Sequence, residues 1–228
     1  MPRRFAVSMR VQSAVGYYEP RDAISHDWLN QIRTWGGTPL PVPNLAKDID
    51  AWLDDLGPAV LILTGGNDVI LRHDRPDDRA PTRDATELAS IDWARRHGVP
   101  VFGTCRGLHV VNQYFGGNVH DISDAGSHVA QDHDVKLRPP LSTLADTDTL
   151  TVNSFHNLGI REDEVGDDLT VCAMSRHDGL VEAVVHDSEP IVALQWHPER
   201  RRGSKTGVDD TLFRRLLSEG AFWKSSLA

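Results

Sequence analysis

Two short, unbroken apolar runs constrain this chain more than any other feature: Ala59-Val60-Leu61-Ile62-Leu63, and Val99-Pro100-Val101-Phe102. Each leads straight into a glycine-containing turn. A strand that is apolar throughout, rather than at alternate positions, is covered on both faces, as strands inside a parallel sheet are. Around these runs, strand and helix patterns alternate. Residues 5–10 read as a first strand. Residues 22–35 carry Ile24, Trp28, Leu29, Ile32 and Trp35 at helical spacing, with Gly36-Gly37 as a stop. Residues 38–42 form a short strand whose prolines suit a sheet edge. A short helix covers 48–56. A longer one covers 84–97, with Ala85, Leu88, Ala89 and Trp93 facing inward and Gly98 ending it. Leu108, Val111, Asn112 and Phe115 mark the next helix, which Gly116-Gly117 ends. The repeated β-α order predicts a parallel sheet with helices on both faces. The C-terminal half is richer in strands, at 133–137, 150–152, 169–174, 180–185 and 191–196. It closes with a helix over 209–218 that turns Leu212, Phe213, Leu216 and Leu217 inward. Ligands of open α/β sheets gather at the carboxyl ends of strands. The segments after Leu63, Phe102 and Trp196 are therefore where chemistry is expected.

Length and composition narrow the class. A chain of 228 residues is expected to form one domain over 1–228, with a core large enough to need no disulfide. Asp and Glu number 33 against 24 Lys and Arg, a net charge of −9, which speaks against a nucleic-acid or membrane-surface binder. No run approaches the ~18–20 apolar residues of a membrane span. The cysteines, Cys105 and Cys172, do not make a disulfide framework, and a reducing, cytoplasmic setting is expected. His120, His128 and His133 share one stretch with several aspartates, but no H-E-x-x-H or C-x-x-C spacing occurs. No glycine-rich stretch matches a nucleotide fingerprint. No metal and no cofactor are therefore expected.

The three strand ends carry complementary chemistry. Gly103-Thr104-Cys105-Arg106-Gly107 lies between a buried strand and a helix. Small residues two before and two after the central one are what a nucleophile elbow needs, because its sharp turn brings backbone segments into contact. The elbow would lift the Cys105 sulfur above the sheet, and the helix N-terminus behind it favours thiolate. Cys172, inside an apolar strand pattern, reads as core. A thiol nucleophile needs a base, and the base an orienting group. His197-Pro198-Glu199 supplies both: residues two apart on extended backbone point the same way, so Glu199 can hold one ring nitrogen and leave the other for Cys105. Thr64-Gly65-Gly66-Asn67-Asp68, after the third strand, offers backbone donors for an oxyanion. The N–H groups of Gly66 and Arg106 are the expected pair.

Together, Gly103-Thr-Cys-Arg-Gly107, Thr64-Gly-Gly66 and His197-Pro-Glu199 resemble the class I glutamine amidotransferase domains over essentially the whole chain. The resemblance implies a flavodoxin-like three-layer α/β/α sandwich: a mostly parallel central sheet with an additional small antiparallel sheet. It also implies a Cys-His-Glu triad acting on γ-glutamyl amides. Gly103-Thr-Cys-Arg-Gly-Leu-His109, Val152-Asn-Ser-Phe-His156, Asp178-Gly-Leu-Val-Glu182 and Gln195-Trp-His-Pro-Glu199 are similar to the free-standing γ-glutamyl hydrolases of the peptidase C26 type. Within that branch, Tyr17-Tyr-Glu-Pro-Arg-Asp22 and Asn153-Ser-Phe-His-Asn157 look more like γ-glutamyl-CDP-amidate hydrolases of capsule phosphoramidate biosynthesis. The resemblance makes Gly65, Asn67, Gln113, Asn153, Ser154, Phe155, His156 and Arg21 the expected substrate contacts. Arg21, Arg106 and the run Arg200-Arg201-Arg202 are available for an anionic leaving group such as a nucleotide phosphate. The expected activity is hydrolysis of a small γ-glutamyl conjugate through a cysteine thioester, releasing glutamate. The alternative is a glutaminase subunit that feeds ammonia to a separate synthetase. The partner is a small molecule, not nucleic acid or membrane, and a homodimer stays open.

Overall fold

The computed structural model describes residues 3–44, 47–69, 80–122, 128–200 and 207–227. The N-terminal half contains β1 (Arg3–Ser8), β2 (Arg10–Ser13), β3 (Pro20–Ala23), α1 (His26–Thr34), β4 (Gly37–Val42), α2 (Ile49–Leu56), β5 (Val60–Leu63), α3 (Pro81–His97), β6 (Val101–Thr104) and α4 (Arg106–Tyr114). The remainder contains β7 (His120–Asp121), β8 (Val129–Leu137), α5 (Leu141–Ala145), β9 (Thr149–Phe155), β10 (Leu158–Gly159), β11 (Leu169–Ser175), β12 (Val181–His186), β13 (Ile191–Leu194), α6 (Val208–Glu219) and α7 (Lys224–Leu227).

Nine strands form one sheet in the order β4-β1-β5-β6-β13-β12-β11-β8-β9. The strands from β4 to β13 pair in parallel, as the apolar runs predict. From β12 to β9 the pairing is antiparallel, which extends the same sheet with the strand-rich C-terminal half. Two small antiparallel ribbons, β2-β3 and β7-β10, stand apart from it.

Successive side chains of a strand point to opposite faces, so the buried runs feed two cores. Phe5, Val7, Val60, Ile62 and Phe102 pack with Trp28 and Ile32 of α1 and with Leu212, Phe213 and Leu216 of α6. Ala6, Leu61, Leu63 and Val101 pack with Ile49 and Leu53 of α2, Ile91 and Ala94 of α3, and Leu108 and Val111 of α4. Helices thus cover both faces, giving the expected three layers.

Two local expectations change. The helix read over 22–35 starts at His26, capped by the Ser25 hydroxyl, because residues 20–23 pair with β2 in a hairpin. In α3, Ala85 and Leu88 are exposed, while Arg83, Thr86, Glu87 and Ser90 are buried. The inward side is polar over the first turns, where Arg83 reaches the backbone carbonyls after β5, and apolar further on, where Ile91, Trp93 and Ala94 join the core.

Candidate active site

The chain reverses sharply between β6 and α4, and Cys105 is the corner. Its φ of 51° and ψ of −107° lie where side-chain-bearing residues rarely sit. Two close approaches make the corner possible. A Cβ on Gly103 would come within 2.9 Å of the Gly107 carbonyl carbon, and one on Gly107 within 2.5 Å of the Leu63 carbonyl oxygen. The Cys105 N–H donates to the Leu194 carbonyl at 2.7 Å, tying the corner to β13.

β13 runs beside β6 with Leu194 opposite Thr104, so the chain leaves the sheet next to the elbow. His197 is fixed there by Asn153 of β9: the His197 N–H donates to Asn153 Oδ1 at 2.9 Å, and Asn153 Nδ2 donates to the His197 carbonyl at 2.9 Å. On the imidazole, Nδ1 lies 2.7 Å from Glu199 Oε1, which assigns it the proton and leaves Nε2 basic. Nε2 is buried and makes no hydrogen bond among the described residues, and the Cys105 thiol nearby favours its charged form. Gly65 fits between the two groups: a Cβ there would lie 2.8 Å from His197 Cε1 and 3.6 Å from Cys105 Sγ. Burial opposes charge on His197, but the Glu199 carboxylate and Cys105 outweigh it and hold the imidazole up at about 9. Burial pushes the Cys172 thiol far above the ordinary value, consistent with a core role.

The third strand end is held by residues that the sequence pattern hid. Arg83 Nη2 donates to the Thr64 carbonyl at 2.8 Å and to the Gly65 carbonyl at 3.2 Å, and Nη1 donates to the carbonyls of Gly65 and Gly66. A trans peptide points its C=O and N–H to opposite sides. With the Gly65 carbonyl engaged by Arg83, the Gly66 N–H faces away from the guanidinium, and Gly66 lines a cleft with Cys105. Arg83 is held in turn by Glu87, Nε to Oε1, at 2.9 Å. Glu87 and Asp84 also bind the Arg106 guanidinium, although burial lowers that group to about 9. The usable signal was the i, i+4 pair Arg83/Glu87 directly beside Asp84, in a helix with little apolar stripe.

Two clefts meet at this point. One, an open space of about 490 Å³, is lined by Gly66, Asn67, Cys105, Arg106, His109, Phe155 and His156. His109, also missed, is buried with Nε2 on Gln195 Oε1 at 2.9 Å, and burial lowers it to about 4, so it is neutral. The second cleft opens beside His197 and Glu199, between Arg10, Trp28, Gly65 and Arg200. The Arg200 guanidinium lies 4.1 Å from the Phe155 ring centroid, and that ring meets His197 edge-on at 5.7 Å.

Cys105, His197, Glu199, Gly65, Gly66, Asn67, Arg106 and Phe155 lie together around these two clefts. Other expected substrate contacts do not. Asn153 spends its amide on His197, and the buried Ser154 hydroxyl donates to the His128 carbonyl at 2.7 Å. His156 lines the cleft, but its Nδ1 is on the Leu158 carbonyl at 2.8 Å and its Nε2 is buried away from the cleft opening. Gln113 lies toward the end of α4 and lines neither cleft. Arg21 is exposed on the β2-β3 hairpin, paired with Glu19 and the Tyr17 hydroxyl. Arg201 and Arg202 lie outside the described residues.

The fold and this corner of it define the class: the chain is of the class I glutamine amidotransferase-like type. Residues 6–199 match Peptidase C26, and the chain belongs to that family. It is 31% identical over 201 residues to the gamma-glutamyl-CDP-amidate hydrolase of Campylobacter jejuni, covering 86% of this chain and 90% of that protein. It is 34% identical over 156 residues to the glutamine amidotransferase-like protein YvdE of Lactococcus lactis. That match covers 61% of this chain and 65% of the relative, just under two thirds of its length. Among solved structures, a protein assigned as a GMP synthase subunit from Thermoplasma acidophilum superposes with a TM-score of 0.68 at 22% identity. The superposition covers 100% of this chain and 98% of that one, and it shows the shared fold. Among the described residues, no helix is long and apolar enough to cross a membrane.

Proposed function

We propose that the chain hydrolyses the γ-glutamyl amide bond of a small conjugate whose leaving group is anionic, through a thioester on Cys105. The observation that carries this reading is the buried His197, oriented by Glu199 at 2.7 Å and brought with the elbow thiol to the same glycine, Gly65.

In the proposed mechanism, His197 Nε2 takes the thiol proton and the sulfur attacks the γ-carbonyl carbon. A pKa of about 9 lets the imidazole keep that proton at neutral pH. The carbonyl oxygen becomes an oxyanion against the N–H groups of Gly66 and Arg106. Collapse breaks the C–N bond, and His197 returns its proton to the departing nitrogen. Water, deprotonated by the same imidazole, then attacks the thioester. Glutamate leaves, and the proton goes back to sulfur.

In this reading the two halves of the substrate occupy the two clefts. The acyl group belongs with the sulfur, in the Cys105 cleft. The leaving nitrogen belongs on the His197 side, where Arg10 and Arg200 make the surroundings positive. Guanidinium groups pair well with phosphate oxygens. The Campylobacter relative is named for hydrolysis of a γ-glutamyl nucleotide amidate, which supports a γ-glutamyl-CDP-amidate-like substrate here. The test is glutamate release by the isolated full chain from glutamine, γ-glutamyl amines and γ-glutamyl phosphoramidates. Preference for the phosphoramidates is expected. Near-idle turnover of every compound without a partner protein would favour a glutaminase subunit instead.

A further inference from the structure

We propose that His128, His156 and Glu182 form a binding site for one divalent cation of the zinc type, behind the Phe155 wall of the Cys105 cleft. Their ligand atoms all lie within 4.8 Å of one another, and all three side chains are buried. His128 immediately precedes β8, His156 follows β9 and Glu182 sits on β12, so the fold brings together three segments distant in sequence.

Hydrogen bonding fixes which atoms face inward. His128 Nε2 lies 2.7 Å from Asp178 Oδ2, and an ionised carboxylate only accepts, so the proton is on Nε2. His156 Nδ1 lies 2.8 Å from the Leu158 carbonyl, which also only accepts, so the proton is on Nδ1. Each ring therefore keeps a lone pair, on His128 Nδ1 and His156 Nε2, and both atoms are buried without a partner among the described residues. Both oxygens of Glu182 are buried without a hydrogen bond as well. The two imidazole lone pairs and Glu182 Oε2 are thus left unsatisfied in a buried space, Oε1 having His133 Nε2 at 3.2 Å, and a positive centre would satisfy them together. Imidazoles held from behind by a carboxylate and a carbonyl are the usual support of metal-bound histidines.

The distances and donor types fit. His156 Nε2 and Glu182 Oε1 are 3.7 Å apart, and His133 Nε2 stands 3.2 Å from the same oxygen. Metal–ligand bonds of ~2.0–2.1 Å in a tetrahedron put ligand atoms ~3.4 Å apart. His133, whose Nε2 already approaches Glu182, is the candidate fourth ligand. Two imidazoles and a carboxylate select zinc-like ions over magnesium or calcium, which prefer oxygen. A cation here would brace the strand ends that carry Phe155 and the Asn153 clamp on His197. The inference does not rest on the proposed reaction, since binding is read without turnover.

The experiment uses the full chain without an affinity tag, in a Cys105→Ala background so that the thiol and His197 cannot chelate. Chelator-stripped protein is titrated with Zn²⁺ alone and with Co²⁺ alone, following melting temperature, stoichiometry and the cobalt spectrum. The expected result is one ion per chain, a raised melting temperature, and the intense visible bands of tetrahedral cobalt bound by nitrogen and oxygen. Asp178→Asn, which alters only the partially exposed support of His128, should weaken binding ~10–100-fold. Glu182→Gln should weaken it further. Absence of binding by the stripped protein overturns the proposal, as does binding that both substitutions leave unchanged.

Discussion

Replacing Arg83 with methionine separates the loop that carries Gly66 from the sulfur it is meant to serve. The guanidinium gathers the carbonyls of Thr64, Gly65 and Gly66, and that grip orients the Gly66 N–H. Methionine fills most of the volume but donates nothing. If the loop turns and one oxyanion donor is lost, the barrier rises by ~2.7–4 kcal/mol, a ~10²–10³-fold fall in kcat. Substrate capture relies on other groups, so KM should change far less than kcat. Stability also falls, because Glu87 loses one of the two guanidinium groups it binds. Breaking a buried pair costs ~3–5 kcal/mol. The retained Arg106 contact puts the expected cost at the low end, so a folded variant is expected. Arg83→Lys keeps the charge but not the fork that reaches successive carbonyls, and should give an intermediate kcat. The assay is steady-state glutamate release, with melting curves alongside. A folded Arg83→Met protein with wild-type kcat would refute the reasoning that this side chain sets the oxyanion donors.

Other outcomes follow from the same geometry. The raised His197 pKa fixes the sign of its pH dependence. Stability from the Glu199 pairing is full below the ordinary histidine value of 6.5 and is lost as pH rises through about 9. Glu199→Gln removes the main charge that raises the imidazole, so the alkaline limb of kcat/KM should move to lower pH; a limb that stays in place contradicts the pairing. Arg10→Ala and Arg200→Ala should each raise KM for phosphoramidate conjugates ~10–100-fold, the loss of one charge-assisted hydrogen bond, and leave glutamine hydrolysis nearly untouched. Equal effects on both substrates would remove the anionic subsite. Cys172→Ala should leave kcat unchanged and alter only the melting curve, and a lost activity would assign that thiol a role its burial denies.

Periodicity carried most of the fold. The unbroken apolar runs at 59–63 and 99–102 became the paired strands β5 and β6, and Gly103 and Gly107 flank the elbow for the steric reason that the motif suggests. Cys105, His197 and Glu199 were legible because each sits in a short local pattern. Arg83 and Glu87 were not, since an amphipathic reading assigns the apolar side of a helix to the interior. In α3 a hydrogen-bonding demand from the Gly65-Gly66 carbonyls overrides that rule. Asn153, Ser154 and His156 were misplaced for a related reason. Their polar groups suit a zwitterionic substrate, but they pair with the backbone at His197, His128 and Leu158, which only long-range packing reveals. The grouping of His128 and His156 with Glu182 joins segments no spacing rule connects.

The most direct test is intact-mass spectrometry of the full chain quenched in acid during turnover of a γ-glutamyl phosphoramidate. The account predicts a species heavier by one glutamyl group, mapped to Cys105, hydroxylamine-labile, and missing in Cys105→Ala. Turnover with no such adduct, together with full activity in Cys105→Ala, would contradict it.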